Sequence, residues 1–105
     1  MAYEIELLIG NEKKKFVRNE PPMLGDMTKA LIVQNHQAKM EESGPTEKDL
    51  EKNQDNLASF AEKFWHYQFK AKEFIEGCDL ENMDNFNKAL ADALGAGGDN
   101  KEAKK

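Results

Sequence analysis

Two histidines, one cysteine and three clustered carboxylates are the side chains of this chain best placed to do chemistry. His36, His66 and Cys78 are all zinc-ligand types. A zinc site is usually announced by close spacing such as Cys-x-x-Cys or His-x-x-x-His, and no pair here has it. Cys78 as a nucleophile would need a neighbouring base and a depressed pKa, and nothing in the sequence around it supplies either. It reads instead as a small buried apolar group, His36 as a solvated helix residue, and His66 as a side chain at the core margin. Asp79, Glu81 and Asp84 lack the glycine and the oxygen-ligand spacing of a calcium loop. Helix capping accounts for them better. Lys13-Lys14-Lys15 could meet phosphate, but opposite Glu4 and Glu6 it reads as a charged strand face. No glycine-rich phosphate loop and no nucleophile motif is present. The expectation is a protein that is not an enzyme and takes no metal or cofactor.

Composition narrows the class further. A chain of 105 residues, 39% hydrophobic and 33% charged, is long enough for one small core. Its formal charge of −5 disfavours a nucleic-acid partner, whose phosphates require a basic face. The single cysteine fits a reducing compartment. No apolar run approaches the ~20 residues of a membrane span. The opening Met-Ala-Tyr-Glu-Ile-Glu carries acid where a signal peptide carries base. A cytoplasmic protein is expected, with no membrane contact.

Several local patterns place the elements. Tyr3, Ile5, Leu7 and Ile9 alternate with more polar positions, Gly10-Asn11-Glu12 offers a turn, and Lys13 to Val17 returns. That is a β-hairpin. After Glu20-Pro21-Pro22, the set Met23, Met27, Ala30, Leu31 and Ala38 marks one face of a helix ending near Glu42, before Ser43-Gly44-Pro45. Thr46-x-x-Asp49 resembles a capping box for a helix from Glu47 to about Tyr67. A short helix follows within Phe69–Cys78, closed by Gly77. A last helix capped by Asp79 runs to Leu94, where glycines stop it. The expected fold is mainly α: an N-terminal hairpin packed on about four helices in a single domain, residues 1–94, with a disordered tail, residues 95–105. Its core should contain Ile5, Leu7, Leu31, Leu57, Phe60, Phe64, Phe74, Leu80, Phe86 and Leu90.

Six of the nine aromatic residues crowd into one stretch as Phe60, Phe64, Trp65, Tyr67, Phe69 and Phe74. Most must be core, because this chain has few other large apolar side chains. On one continuous helix Phe64, Trp65 and Tyr67 point in different directions. Part of a partner-binding surface is therefore expected at Phe64, Trp65, Tyr67 and Phe69. The alternative is that the hairpin covers this side and makes the whole cluster core.

The order of these features resembles a known family, the tail assembly chaperones of long-tailed bacteriophages and prophages of Gram-positive bacteria. The resemblance is carried by Tyr3-Glu4-Ile5-Glu6-Leu7-Leu8-Ile9-Gly10-Asn11-Glu12-Lys13-Lys14-Lys15-Phe16, by Phe64-Trp65-His66-Tyr67-Gln68-Phe69, and by Phe74-Ile75-Glu76-Gly77-Cys78-Asp79-Leu80. It spans about residues 3–94 as an order of patterns, without one diagnostic motif. At Glu20-Pro21-Pro22-Met23-Leu24-Gly25 the chain departs from the more continuous helix start of that family. The resemblance implies an assembly role. Such a protein coats the tape measure protein and keeps it soluble while tail tube protein polymerises. It self-associates, often has a frameshifted longer form, and is absent from the mature virion. The competing class is a small helical adaptor or regulator encoded by a prophage and binding a different protein partner.

Overall fold

The computed structural model describes residues 2–95. The chain runs β1 (Tyr3–Ile9), β2 (Glu12–Arg18), α1 (Leu24–Ser43), α2 (Glu47–Phe64), α3 (Ala71–Gly77) and α4 (Met83–Ala93). The hairpin and the four helices are those the sequence pattern implies. Of the expected tail, residues 96–105 lie outside the described residues.

Gly10 and Asn11 both take positive φ, 59° and 68°, so the hairpin closes on a two-residue turn whose twist matches its strands. The register runs from Ile9 opposite Glu12 to Tyr3 opposite Arg18. It turns Tyr3, Ile5 and Leu7 into the core and leaves Glu4 and Lys15 paired across the outer face at 3.7 Å. α3 lies directly on β1, because Gly77 has no side chain. A Cβ there would stand 2.5 Å from the carbonyl oxygen of Leu8. A second tie comes from the turn before α4. Asp79 Oδ1 accepts from the backbone N–H of Asn82 at 2.9 Å and from its amide at 3.0 Å, and Asn82 Oδ1 accepts from the Glu6 N–H at 3.1 Å. Asp79 thus orders a turn; α4 begins later than expected, at Met83.

α2 starts where its capping box predicts, with Thr46 Oγ1 and Asp49 Oδ2 each accepting the other's backbone N–H. It ends at Phe64, short of Tyr67. The N–H of Tyr67 donates to the Glu62 carbonyl at 2.8 Å and that of His66 to Lys63 at 3.0 Å. This is the Schellman pattern, with His66 and Tyr67 in the left-handed region at φ 58° and 60°. The chain reverses there and carries Phe69 back onto the core.

The reversal closes a ring of aromatic contacts. Phe60, Phe64, Trp65, Phe69, Phe74 and Phe86 follow one another with centroid separations from 4.9 to 6.3 Å, and Phe86 returns to Phe60 at 5.6 Å. Tyr3 packs edge-on against Phe64 and Phe16 against Phe69, both at 5.0 Å. Such pairs add about 0.5–1.5 kcal/mol each beyond their buried area. Ile5, Leu7, Phe60, Phe64, Phe74 and Phe86 are buried as expected, while Leu57 and Leu90 pack at the edge of the core. Leu31 and Leu80 are not core: they are 45% and 88% exposed. Leu80 falls in the turn that precedes α4 instead of in the helix. Leu31 is turned outward by the rotation of α1, whose buried residues are Asp26, Ala30 and Val33. Of the apolar set expected to face inward, only Ala30 does so; Met23, Met27, Leu31 and Ala38 are exposed.

That rotation has a polar cause. Arg18, at the end of β2, is 2% exposed. Its Nη1 lies 2.9 Å from Asp26 Oδ2 and donates to the Phe64 carbonyl at 2.8 Å. Its Nε and Nη2 donate to the carbonyls of Glu20 and Pro21, and its guanidinium lies 4.2 Å from the centre of the Phe64 ring. Asp26 also accepts from the Met23 N–H at 2.8 Å, capping α1. A cation at the last carbonyls of α2 and an anion in the first turn of α1 both oppose the local helix charge. Removing one member of a buried pair leaves an uncompensated charge. Arg18→Met should therefore cost about 3–5 kcal/mol in urea unfolding, and Arg18→Met with Asp26→Leu should be less destabilised than Arg18→Met alone.

Candidate functional site

The residues with chemical potential do not converge. His66 is exposed and its Nε2 lies 2.6 Å from Glu20 Oε1; His36 sits half-buried on α1. Among the described residues no group of three His, Cys, Asp or Glu side chains could hold a metal ion. Cys78 lies 3.8 Å from Met83 Sδ, and burial, with the Asp79 carboxylate beside it, pushes its thiol up to about 11. That is the opposite of nucleophile activation.

The four expected partner-binding residues separate. Phe64, Trp65 and Phe69 are buried, and the Trp65 indole N–H donates to the Tyr3 carbonyl at 3.1 Å. For these three the hairpin does cover the cluster, and in the folded chain they offer no open surface. Trp65 does not follow the directions of one continuous helix, because α2 has already ended at Phe64. Tyr67 alone is exposed, at 66%.

Open apolar surface lies elsewhere, and among the described residues two places stand out. The first is the outer face of α1, where Leu24, Met27, Thr28, Leu31, Ile32, Gln34, Asn35 and Ala38 are exposed and none is charged. The one charged residue between Met27 and Ala38 is Lys29, whose ammonium donates to Ser59 on α2 at 2.9 Å. In a chain that is 33% charged, this face stands apart. The second is a recess between α2, α3 and α4, lined by Gln54, Leu57, Phe74, Ile75, Cys78 and Met83, with Leu80 at its edge. Both are missed by a periodicity reading that takes Leu31 and Leu80 for core. The available signal was the absence of charge from Ala30 to Ala38.

Open, uncharged apolar surface on a charged body is the mark of a protein that binds other proteins. The chain belongs to the family described as phage tail chaperone protein, whose model matches residues 1–105. It is a tail assembly chaperone, and its partners are phage tail proteins. No curated protein and no solved structure matches it. Among the described residues no helix is long and apolar enough to cross a membrane.

Two outcomes follow from this placement. Trp65→Ala should cost about 3–5 kcal/mol in denaturant unfolding, whereas Tyr67→Ala should stay within about 0.5 kcal/mol of the parent. The second concerns pH. Burial and the hydrogen bond to Asp92 raise the Tyr3 phenol to about 12, and Cys78 is raised likewise. In both cases the folded chain keeps a proton that the unfolded chain releases. Stability should be complete below about pH 9 and fall as pH rises towards 12, read as a declining urea midpoint. At about pH 8 the thiol should react with iodoacetamide more slowly in the folded chain than in the unfolded one.

Proposed function

We propose that this chaperone binds the tape measure protein and keeps that long helical client soluble while tail tube protein polymerises around it. The observation that carries the reading is the recess below Leu80. Its apolar lining includes Leu57, Phe74, Ile75, Met83 and Leu80, the last 88% exposed. A concave apolar recess of this kind takes apolar side chains projecting from one face of a helix. The acidic body, at −5, keeps the loaded complex dispersed. The chaperone acts in the host cell and leaves before the virion is complete. Tyr67 remains a candidate contact at a separate point of the surface.

Co-expression tests this directly. The tape measure protein should be insoluble alone and soluble with the chaperone. Leu80→Glu should return it to the pellet while the chaperone's own melting temperature stays unchanged, because Leu80 contributes little buried area. A tape measure protein equally soluble with the Leu80→Glu variant removes the recess from the client site. One that never co-purifies with the parent chain rejects the reading itself.

A further inference from the structure

We infer that the outer edge of β2 is a docking site for an extended, acidic segment of a partner protein, which adds to the hairpin as a third strand. The inference rests on the hairpin and does not depend on the client recess.

Backbone direction is the first ground. The Glu6 N–H donates to Asn82 Oδ1 in the turn before α4, so it points away from β2. Glu6 stands opposite Lys15. Residues directly opposite in an antiparallel pair either bond to each other or both face outward. Lys15 therefore directs its N–H and C=O away from β1, and so do Lys13 and Val17, two residues along on either side. The Val17 carbonyl agrees, because it accepts from the Gln68 side-chain amide at 3.1 Å.

The two edges of the hairpin are finished differently. On β1 the outward groups are covered: Asn82 takes the Glu6 N–H, and Gly77 of α3 lies against the Leu8 backbone. On β2, Gln68 closes the edge at the Val17 carbonyl only. Among the described residues nothing pairs with the outward N–H and C=O of Lys13 and Lys15, or with the Val17 N–H. These donors and acceptors form a row with the repeat of a strand.

Charge says which strand fits. Lys13, Lys14 and Lys15 follow one another along this edge, all exposed, in a chain whose net charge is −5. Lys15 meets only Glu4, at 3.7 Å in an exposed pair, which holds it weakly. Lysine on an edge strand normally keeps copies of that edge apart. Two β2 strands side by side would bring like charges together, so a second copy is disfavoured and an acidic strand is admitted. Phe16 and Val17 continue the edge with apolar side chains. The matching segment is acidic opposite positions 13–15 and apolar opposite 16 and 17. Backbone bonds supply its affinity, and side chains the choice of partner.

Backbone NMR of the full chain decides it, with the synthetic peptides Thr-Val-Val-Glu-Glu-Glu-Thr and Thr-Glu-Glu-Glu-Val-Val-Thr as probes for the two pairing directions. At millimolar concentration one of them should shift the amides of Lys13, Lys15 and Val17 most and slow their exchange with solvent. The same peptide with lysine in place of glutamate should not bind. Two versions N-methylated on alternate residues then separate pairing from charge attraction, with the protein itself unaltered. The one whose methyl groups face β2 should bind about ten-fold more weakly or worse, and the one whose methyl groups face solvent should match the unmodified peptide. Lys15→Pro removes an outward N–H and no bond to β1, so it should weaken binding likewise, with folding checked by melting temperature. Equal binding of the two N-methylated peptides overturns the inference, because charge alone then holds them. So does the absence of any shift at the β2 amides. Shifts centred on Leu57, Phe74 and Met83 overturn it too, and place the peptide in the recess. A parent chain whose dimer is dissolved by Lys15→Pro overturns it by making this edge a contact between copies.

Discussion

The guanidinium of Arg18 is the constraint on which the rest of the arrangement depends. It sits where three segments meet: the end of β2, the start of α1 and the end of α2. A buried cation cannot remain unsatisfied, so each neighbour is positioned to meet it. The Phe64 carbonyl, otherwise one of the unpaired acceptors at a helix terminus, receives Nη1. Asp26 receives it too, which fixes how α1 is turned about its own axis. Once Asp26 faces Arg18, Ala30 and Val33 follow on the same side, and Leu31 lies about 160° round from Val33. The open apolar face of α1 is thus a consequence of an ion pair made on its opposite side.

The aromatic ring depends on the same junction. Phe64 supplies its carbonyl to Arg18 and its ring face to the guanidinium. Because the helix stops there, Trp65 can turn inward and reach the Tyr3 carbonyl, pinning β1. Placing His66 and Tyr67 at positive φ costs conformational energy, since glycine is the residue that takes this geometry freely. The return of Phe69 and the burial of Trp65 offset it. Ending the helix three residues early is worth more here than three further residues of helix.

How legible this was in the sequence differs from place to place, for physical reasons. The hairpin was readable because strand alternation and a Gly-Asn turn are local signals, and so was the start of α2, where Thr46 and Asp49 satisfy each other. Arg18 was not readable. It ends a polar strand and looks like any surface cation; burial comes from segments that are distant in sequence, Phe64 among them. α1 misled because it carries apolar residues on opposite sides, so periodicity alone could not say which side was core. The end of α2 was misplaced because His66 occupies a position where glycine normally marks the stop. Leu31 and Leu80 were assigned to the core and are exposed, and Trp65 was assigned to the surface and is buried.

The arrangement separates what holds the chain together from the apolar surface it leaves open. Stability resides in the aromatic ring, the Arg18 junction and the inner side of the hairpin. The outer side of α1 and Leu80 contribute little to any of these, so the fold places little constraint on the side chains there. An assembly factor needs that separation, because a small domain has only about 5–15 kcal/mol of stability in total. If the apolar groups that meet partners were also core, each partner would have to be bound by partial unfolding. Here apolar surface is held open by a fold that does not require it to close, and the surrounding charge keeps it from indiscriminate association.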